Sequence, residues 1–322
     1  MYCCRMLGLW PPNPCNLSKI MKTSLLKTFL FLPLIFCRIC VVSAQVFSND
    51  AAVREANFVT KVVQLDEFIH RFNNDSNSEI RRYYLSHDRP WDKSREQLIR
   101  SLFNYTNRRW DTLQMDSFIR RATDPEQPDS IAFLRDQWYA EAICQFLYHQ
   151  NIVKATLILK IQLNPDGSAQ WVITAVKPWF NLPPLQKPPV SAVKRKPPLP
   201  TVVTISTVIP KRRFIQPAAN ETYFAELDRD FADKRRLTDL FDKSFFERTQ
   251  SAPFFQALLR NRIRFVAVAK LRYHYLQVHD WIFTVENFER ATRNSGWLIA
   301  SIRGANVEER SRYLKRLLGE KQ

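Results

Sequence analysis

Two Tyr-His pairs, Tyr148-His149 and Tyr273-His274, are the first residues in this chain whose chemistry could be catalytic. A phenol beside an imidazole can exchange protons with a bound substrate, so each pair is a candidate general acid or base. Adjacent strand residues, however, face opposite sides. Alternation groups Tyr148 with Ala142, Cys144 and Phe146, and His149 with Glu141, Ile143, Gln145 and Leu147. The two members of a pair therefore do not easily share one site. Tyr148 and Tyr273 stand as pocket candidates, against the plainer reading of tyrosines that close a core with the hydroxyl at its rim.

Other chemistries find less support. The histidines His70, His87, His149, His274 and His279 show no His-x-x-x-His spacing, and His274 and His279 fall on opposite faces of a regular strand. No metal site is expected. No Gly-x-Ser-x-Gly elbow is present, and only five glycines occur in 322 residues, which counts against phosphate and dinucleotide loops. No cofactor is expected. Cys144 lies in an apolar strand and reads as a buried structural thiol. Trp171 and Trp297 each open the last strand of a segment and read as core anchors.

The sharper charge signal is Lys194-Arg195-Lys196 with Lys211-Arg212-Arg213. Such clusters can grip an anionic envelope polymer or lipid headgroups, at about 1 kcal/mol per residue near an anionic surface. The plainer reading is solubility and extension of a linker by self-repulsion. Aromatic interleaving is absent from the clusters, so no specific nucleic acid is expected.

The elements that position these residues repeat. Ala132, Leu134, Arg135, Ala142, Tyr148 and His149 recur as Ala257, Leu259, Arg260, Ala267, Tyr273 and His274, at an offset of about 125. The run from Trp171 to Lys177 recurs one residue out of phase from Trp297 to Arg303. This pattern predicts a duplicated α+β unit. Residues 45–180 form copy one and residues 218–304 copy two, with a C-terminal helix over 305–322. In copy one, helical periodicity marks 52–72, 98–103, 118–119 and 130–136. Period-two alternation marks strands over 153–163 and 170–177, joined at Asn164-Pro165-Asp166-Gly167. In copy two, helical spacing over 224–245 precedes strands at 263–275, 279–286 and 296–303. Asn306 and Glu309 form a capping box for the last helix. The copies diverge most where Ile143, Gln145 and Leu147 are replaced by Val268, Lys270 and Arg272, so a copy-specific function would sit on that face.

Between the copies, residues 181–217 form a proline-rich linker. The slightly longer stretch 178–217 holds ten of the 19 prolines, seven basic residues and no acidic one. Thr201 to Ile209 is β-prone and could add an edge strand to either copy. At the other end, Lys22 and Lys27 precede the apolar run Phe29 to Cys37, followed by Val42-Ser43-Ala44. Residues 1–44 thus read as an upstream extension and signal peptide, with a start at Met21 and cleavage after Ala44. Cleavage leaves Cys144 as the sole cysteine and takes the formal charge from +17 to +12, because five basic and no acidic residues are lost. The linker carries +7 of that +12. The sequons at Asn74, Asn104 and Asn220 matter only in a eukaryotic secretory pathway.

Helices followed by about three long antiparallel strands, twice over, resemble the α+β cone of the nuclear transport factor 2-like (NTF2-like) superfamily; cystatin-like folds are similar. That resemblance implies a curved sheet wrapped around helices, often with a pocket, and is compatible with enzymes and with binding modules. The combined expectation is an exported, non-enzymatic binding or assembly protein of a cell envelope, periplasmic if bacterial and secreted otherwise. Its partner is an envelope protein or anionic envelope polymer, with peripheral membrane contact compatible with the charge. The alternatives are a small-molecule enzyme using one pocket tyrosine, and polyanion binding through the linker. N-terminal sequencing of the exported protein should begin at Gln45; an N-terminus that retains residues 22–44 would refute the cleavage.

Overall fold

In the computed structural model the described residues are 60–106, 110–178, 214–248, 251–291 and 294–320. The N-terminal segment, the two linker clusters at 194–196 and 211–213, and Thr201–Ile209 lie outside them. Four helices come first: α1 (Leu65–Asn73), α2 (Glu79–Ser86), α3 (Arg95–Ser101) and α4 (Thr112–Ala122). A meander follows, β1 (Trp138–Tyr148), β2 (Asn151–Leu163) and β3 (Ala169–Pro178). After the linker come a 3-10 turn, α5 (Leu227–Ala232), two further 3-10 turns, α6 (Ser251–Leu259), and a second meander. Its strands are β4 (Ile263–Tyr275), β5 (Trp281–Phe288) and β6 (Gly296–Gly304), and α7 (Val307–Leu317) closes the fold.

The two meanders form one open antiparallel sheet, in the order β3-β2-β1-β4-β5-β6. β1 and β4 pair along their whole length, from Trp138 opposite Tyr275 to Tyr148 opposite Ile263. Both halves also share one core. Trp138, Ala140, Ala142, Cys144 and Phe146 of β1 face inward, with Ala155, Leu157 and Leu159 of β2 and Phe265, Leu271, Tyr273 and Tyr275 of β4. The helices cover this face. Aromatic rings run through it as a continuous stack: Trp138 on Tyr275 at 5.2 Å, Tyr275 on Phe283 at 4.9 Å, and Phe283 on Phe72 at 5.7 Å. Such rings supply large buried area, and their offset or edge-on contacts add about 0.5–1.5 kcal/mol each.

The outer edges of the sheet are covered. On β6, Val62 bridges Gly296 and Phe103 bridges Ile299; on β3, Ile215 bridges Trp171 and Phe241 bridges Ile173. The Glu67–Arg71 pair explains how the first helices hold together. Both side chains are buried and bonded to each other. Glu67 also accepts from the backbone N–H groups of Glu79 and Ile80 and so caps α2, while Arg71 donates to the carbonyls of Thr60 and Lys61. A buried pair persists only when its remaining donors and acceptors are used in this way.

Several local expectations are corrected. Of the helix expected over 52–72, residues 52–59 lie outside the described residues; Thr60 is helical, the helix is interrupted over 61–64, where Val62 serves as a sheet bridge, and α1 runs from Leu65. Residues 130–136 are turns, not a helix. Gln277 holds them: its Oε1 accepts from the Ala132 amide, and its Nε2 lies within 3.0 Å of the carbonyls of Ala132, Arg135 and Asp136. Apart from the Arg135 amide, which donates to the Ala132 carbonyl, these backbone groups are satisfied by a distant side chain. Residues 224–245 contain one short α-helix and 3-10 turns, and α2 was not visible as a periodic element at all. The Asn164–Gly167 turn, the last three strands and the Asn306–Glu309 capping box match the sequence pattern.

Gly296 is a close-approach position. Its φ is +88°, and a Cβ would lie 2.0 Å from the Val62 carbonyl oxygen. The Trp297 amide donates to that same oxygen at 2.8 Å. Gly296→Ala should therefore cost about 2 kcal/mol or more, from backbone strain together with overpacking, read as a lower urea midpoint; an unchanged midpoint would show that the bridge is dispensable.

Candidate functional site

The repeated Tyr-His pairs sit in different surroundings. Tyr148 ends β1 half-buried, and His149 with Gln150 forms the two-residue turn into β2, at φ 45° and 67°. Two successive positive φ values are what a tight hairpin turn of this hand requires. His149 is thus a turn residue and not a strand residue. Tyr273 and His274 lie within β4, on opposite faces. Tyr273 is fully buried between Trp138 and Trp297, and burial, with the neighbouring Tyr275, pushes its phenol well above the usual tyrosine range. Trp171 and Trp297 are core residues, and burial likewise raises the Cys144 thiol.

His274 carries the richer chemistry. It is 4% exposed and faces the other side of the sheet, beneath α7. Its Nε2 lies 3.0 Å from Glu141 Oε2 on β1, and its Nδ1 lies 2.6 Å from the Tyr313 hydroxyl on α7. A carboxylate only accepts, so Nε2 donates to Glu141. Burial lowers the imidazole pKa, with Arg272 and Lys177 adding to the effect against the opposing pull of Glu141. The neutral ring then accepts the Tyr313 hydroxyl proton at Nδ1. Burial also pushes the Tyr313 phenol up to about 12, and the Glu141 charge adds to it. Burial alone would raise Glu141, but His274 and Arg272 outweigh it and hold the carboxyl below the usual range.

Charge continues along the same face. Arg272 reaches Glu141 at 3.3 Å and Glu286 of β5 at 2.6 Å, and Lys270 reaches Glu286 at 2.7 Å. Lys177 of β3 is bonded to the Arg316 carbonyl of α7 at 2.9 Å. Apolar contacts frame the cluster: Ile158 and Ala175 pack on Leu317, and Leu276 and Ile282 pack near Leu314 and Tyr313. The hydrogen-bonded chain Glu141–His274–Tyr313 therefore fastens α7 to the sheet. A groove of about 850 Å³ runs along one flank of α7, lined by Lys177, Ser244, Arg248 and Arg316. Another of about 650 Å³, lined by Gln137, Gln277, His279 and Arg310, runs along the other. Neither is lined by His274, Glu141, Tyr148 or Tyr273.

The second notable surface is β4 itself. β4 pairs with β5 only from Arg272 to Tyr275, opposite Glu286 to Phe283. From Ile263 to Leu271 its other side has no strand among the described residues. Val266 is 45% exposed there, and Ala267, Ala269 and Lys270 are exposed as well. The register against β1 shifts twice, leaving Ala269 and Val266 as bulges, so that Arg264, Ala267 and Lys270 face outward. Arg260, Arg262 and Arg264 are exposed and make no ion pair among the described residues. On the adjoining end of the outer face of β1 and β2, Leu147 lies opposite both Ile152 and Arg264; Ile152 is 55% exposed, Ile143, Gln145 and Leu147 are half-buried, and Thr156 and Ile158 are buried.

Sequence reasoning singled out this divergent face but missed the partners Glu141, Arg272, Glu286 and Tyr313, which come from four elements. Glu67 and His70 stand at Glu-x-x-His spacing on α1, but Glu67 is committed to Arg71, and among the described residues no group of three or more metal-ligating side chains is assembled. Asn104 and Asn220 are buried, so neither sequon presents its amide in the folded chain. No described helix is long and apolar enough to cross a membrane. The chain matches no protein-family model, no curated protein and no solved structure.

The α7 fastening has a pH signature. As pH falls through the ordinary histidine value of 6.5, the unfolded chain takes up a proton that buried His274 resists, so stability falls. Glu141 and Glu286, both depressed below the ordinary 4.5, add their loss at lower pH still. Amide protection factors in α7, which remove the intrinsic pH dependence of exchange, should fall between pH 7 and 5, and His274→Gln should flatten that step. Tyr313→Phe should cost about 1–3 kcal/mol, because it leaves His274 Nδ1 buried without a donor. Protection factors in α7 that do not vary with pH would remove His274 from the fastening.

Proposed function

We propose that this chain is an exported, non-enzymatic binding or assembly protein of a cell envelope. The observation that carries the reading is the flank of β4 from Ile263 to Leu271, which has no strand partner among the described residues and lies beside the exposed Ile152. Among the described residues the edges at β3 and β6 are bridged by chain segments, whereas this flank carries exposed small residues and arginines that make no ion pair there. An exposed strand edge is a template for another chain. Export is supported by the basic, apolar and small-residue pattern before Gln45 and by a mature chain with Cys144 as its sole cysteine.

We further read the chain as two duplicated NTF2-like α+β units, whose meanders meet through β1 and β4. Supporting this, Trp138 to Ile143 lie opposite Tyr275 to Lys270, a register that points toward the repeat-equivalent residues Cys144 and Ala269 as its centre, although the bulge at Ala269 then sets Cys144 opposite Val268. An antiparallel pair centred on equivalent residues is what a local two-fold relation between copies produces. For the enzyme alternative, the phenol of Tyr273 would need access that its packing among Trp138 and Trp297 does not offer. The polyanion alternative rests on Lys194–Lys196 and Lys211–Arg213.

Crosslinking in the cells that produce the protein, followed by isolation from the envelope fraction, should recover a stoichiometric envelope partner. A clean monomer with full recovery would refute the assembly reading. Salt-sensitive retention on an anionic polymer, abolished by neutralising the two linker clusters, would favour the polyanion alternative instead.

A further inference from the structure

We propose that the open flank of β4, Ile263 to Lys270, receives an extended, acidic segment of a partner protein as an added strand. The proposal rests on the assembly reading above and specifies the partner's chemistry. At about 3.3 Å per residue the flank offers room for a segment of six to eight residues. Its outward backbone donors and acceptors have no strand partner among the described residues, and hydrogen bonds to such a ladder supply affinity while alternate side chains supply selectivity.

Three features define what can fill it. First, β4 contains no proline, and the exposed side chains Val266, Ala267 and Ala269 are small, so another backbone can approach. Second, the bulges at Val266 and Ala269 break the ladder into short runs. Ladder length alone therefore gives little discrimination, and charge must supply it. Third, that charge is positive. Arg260, Arg262 and Arg264 lead into the flank without ion-pair partners among the described residues, and Lys270 closes its far end beside Glu286. Carboxylates spaced along an extended segment would meet them as charge-assisted hydrogen bonds.

A second copy of the chain is a poor occupant. Antiparallel pairing of two β4 flanks about Ala267 would set Arg264 of each copy opposite Lys270 of the other, and like charges directly opposite are destabilising. The same cations that repel a second copy select an acidic partner. Bulges and charges are also how proteins protect edges from indiscriminate pairing, so the flank is guarded against neutral and basic strands.

The test uses the full exported chain and a synthetic eight-residue peptide of alternating Val and Glu, with amide hydrogen exchange and fluorescence anisotropy as readouts. Binding should protect amides within 263–271 and weaken with added salt. The variant R260E/R262E/R264E, whose changes lie on exposed side chains, should lose at least tenfold in affinity with an unchanged denaturation midpoint. A peptide with proline at its centre should lose at least tenfold, and an alternating Val-Lys peptide should not bind. No protection at 263–271, or an affinity that ignores the triple charge reversal, would overturn the proposal. So would equal binding of polyphosphate or phosphatidylglycerol vesicles without amide protection. Protection already present in the free chain would also overturn it, by assigning the flank to residues 201–209 if it is lost on their deletion, or to a second copy if it rises with concentration. A crosslinked envelope partner together with an inert β4 would leave the assembly reading standing and this inference refuted. Peptide binding by a chain that is a clean monomer in the envelope would do the opposite.

Discussion

The pairing of β1 with β4 is the constraint on which the rest of the structure depends. It runs from Trp138 opposite Tyr275 to Tyr148 opposite Ile263 and turns two three-stranded meanders into one sheet. Unpaired, each meander would present a long apolar strand edge and half of a core. Joined, they place Ala140, Ala142 and Cys144 beside Tyr273, Leu271 and Val268, so small side chains on one strand admit large ones on the other. Dense packing of this kind depends on complementary volumes across neighbouring strands.

Both faces of the sheet follow from that pairing. On the inner face, Tyr275 of β4 and Phe283 of β5 pack on Phe68 and Phe72 of α1, with Trp138 of β1 stacked behind Tyr275, which fixes the helical layer against the sheet. On the outer face, the pairing brings Glu141 of β1 next to Arg272 and His274 of β4. A buried imidazole and a largely buried carboxylate must satisfy each other. Tyr313 completes the set only when α7 lies across the sheet, so polar satisfaction and helix docking are one event. The same two strands leave the sheet half covered: α7 and β5 shield one end of β4, while the other end extends past β5 with Arg264 and Val266 in solvent.

Much of the local structure was legible from the chain. The alternation from Val153 to Leu163 and from Ile263 to Tyr275, the turn at Gly167 and the cap at Asn306 are short-range signals, and each corresponds to an element. Signals failed where a distant group overrode local preference. Residues 130–136 have helical spacing, yet the Gln277 side chain takes their backbone groups. Val62 continues an apolar helical pattern, yet the sheet edge at Gly296 captures it. The Tyr-His repeat suggested equivalent sites, yet two positive φ values turn His149 into the hairpin tip while His274 is sealed under α7.

By itself the sequence determined that the chain is α+β, where the strands lie, which of their faces are apolar, and that Cys144, Trp171 and Trp297 belong to a core. These are consequences of side-chain periodicity, which acts over a few residues. Only the tertiary structure decided that β1 pairs with β4, that Glu141 meets His274 across 133 residues of chain, and that β4 outruns β5 to leave an open flank. The register between strands so far apart is set by how the whole core packs, and no local pattern encodes which distant edge a strand will find.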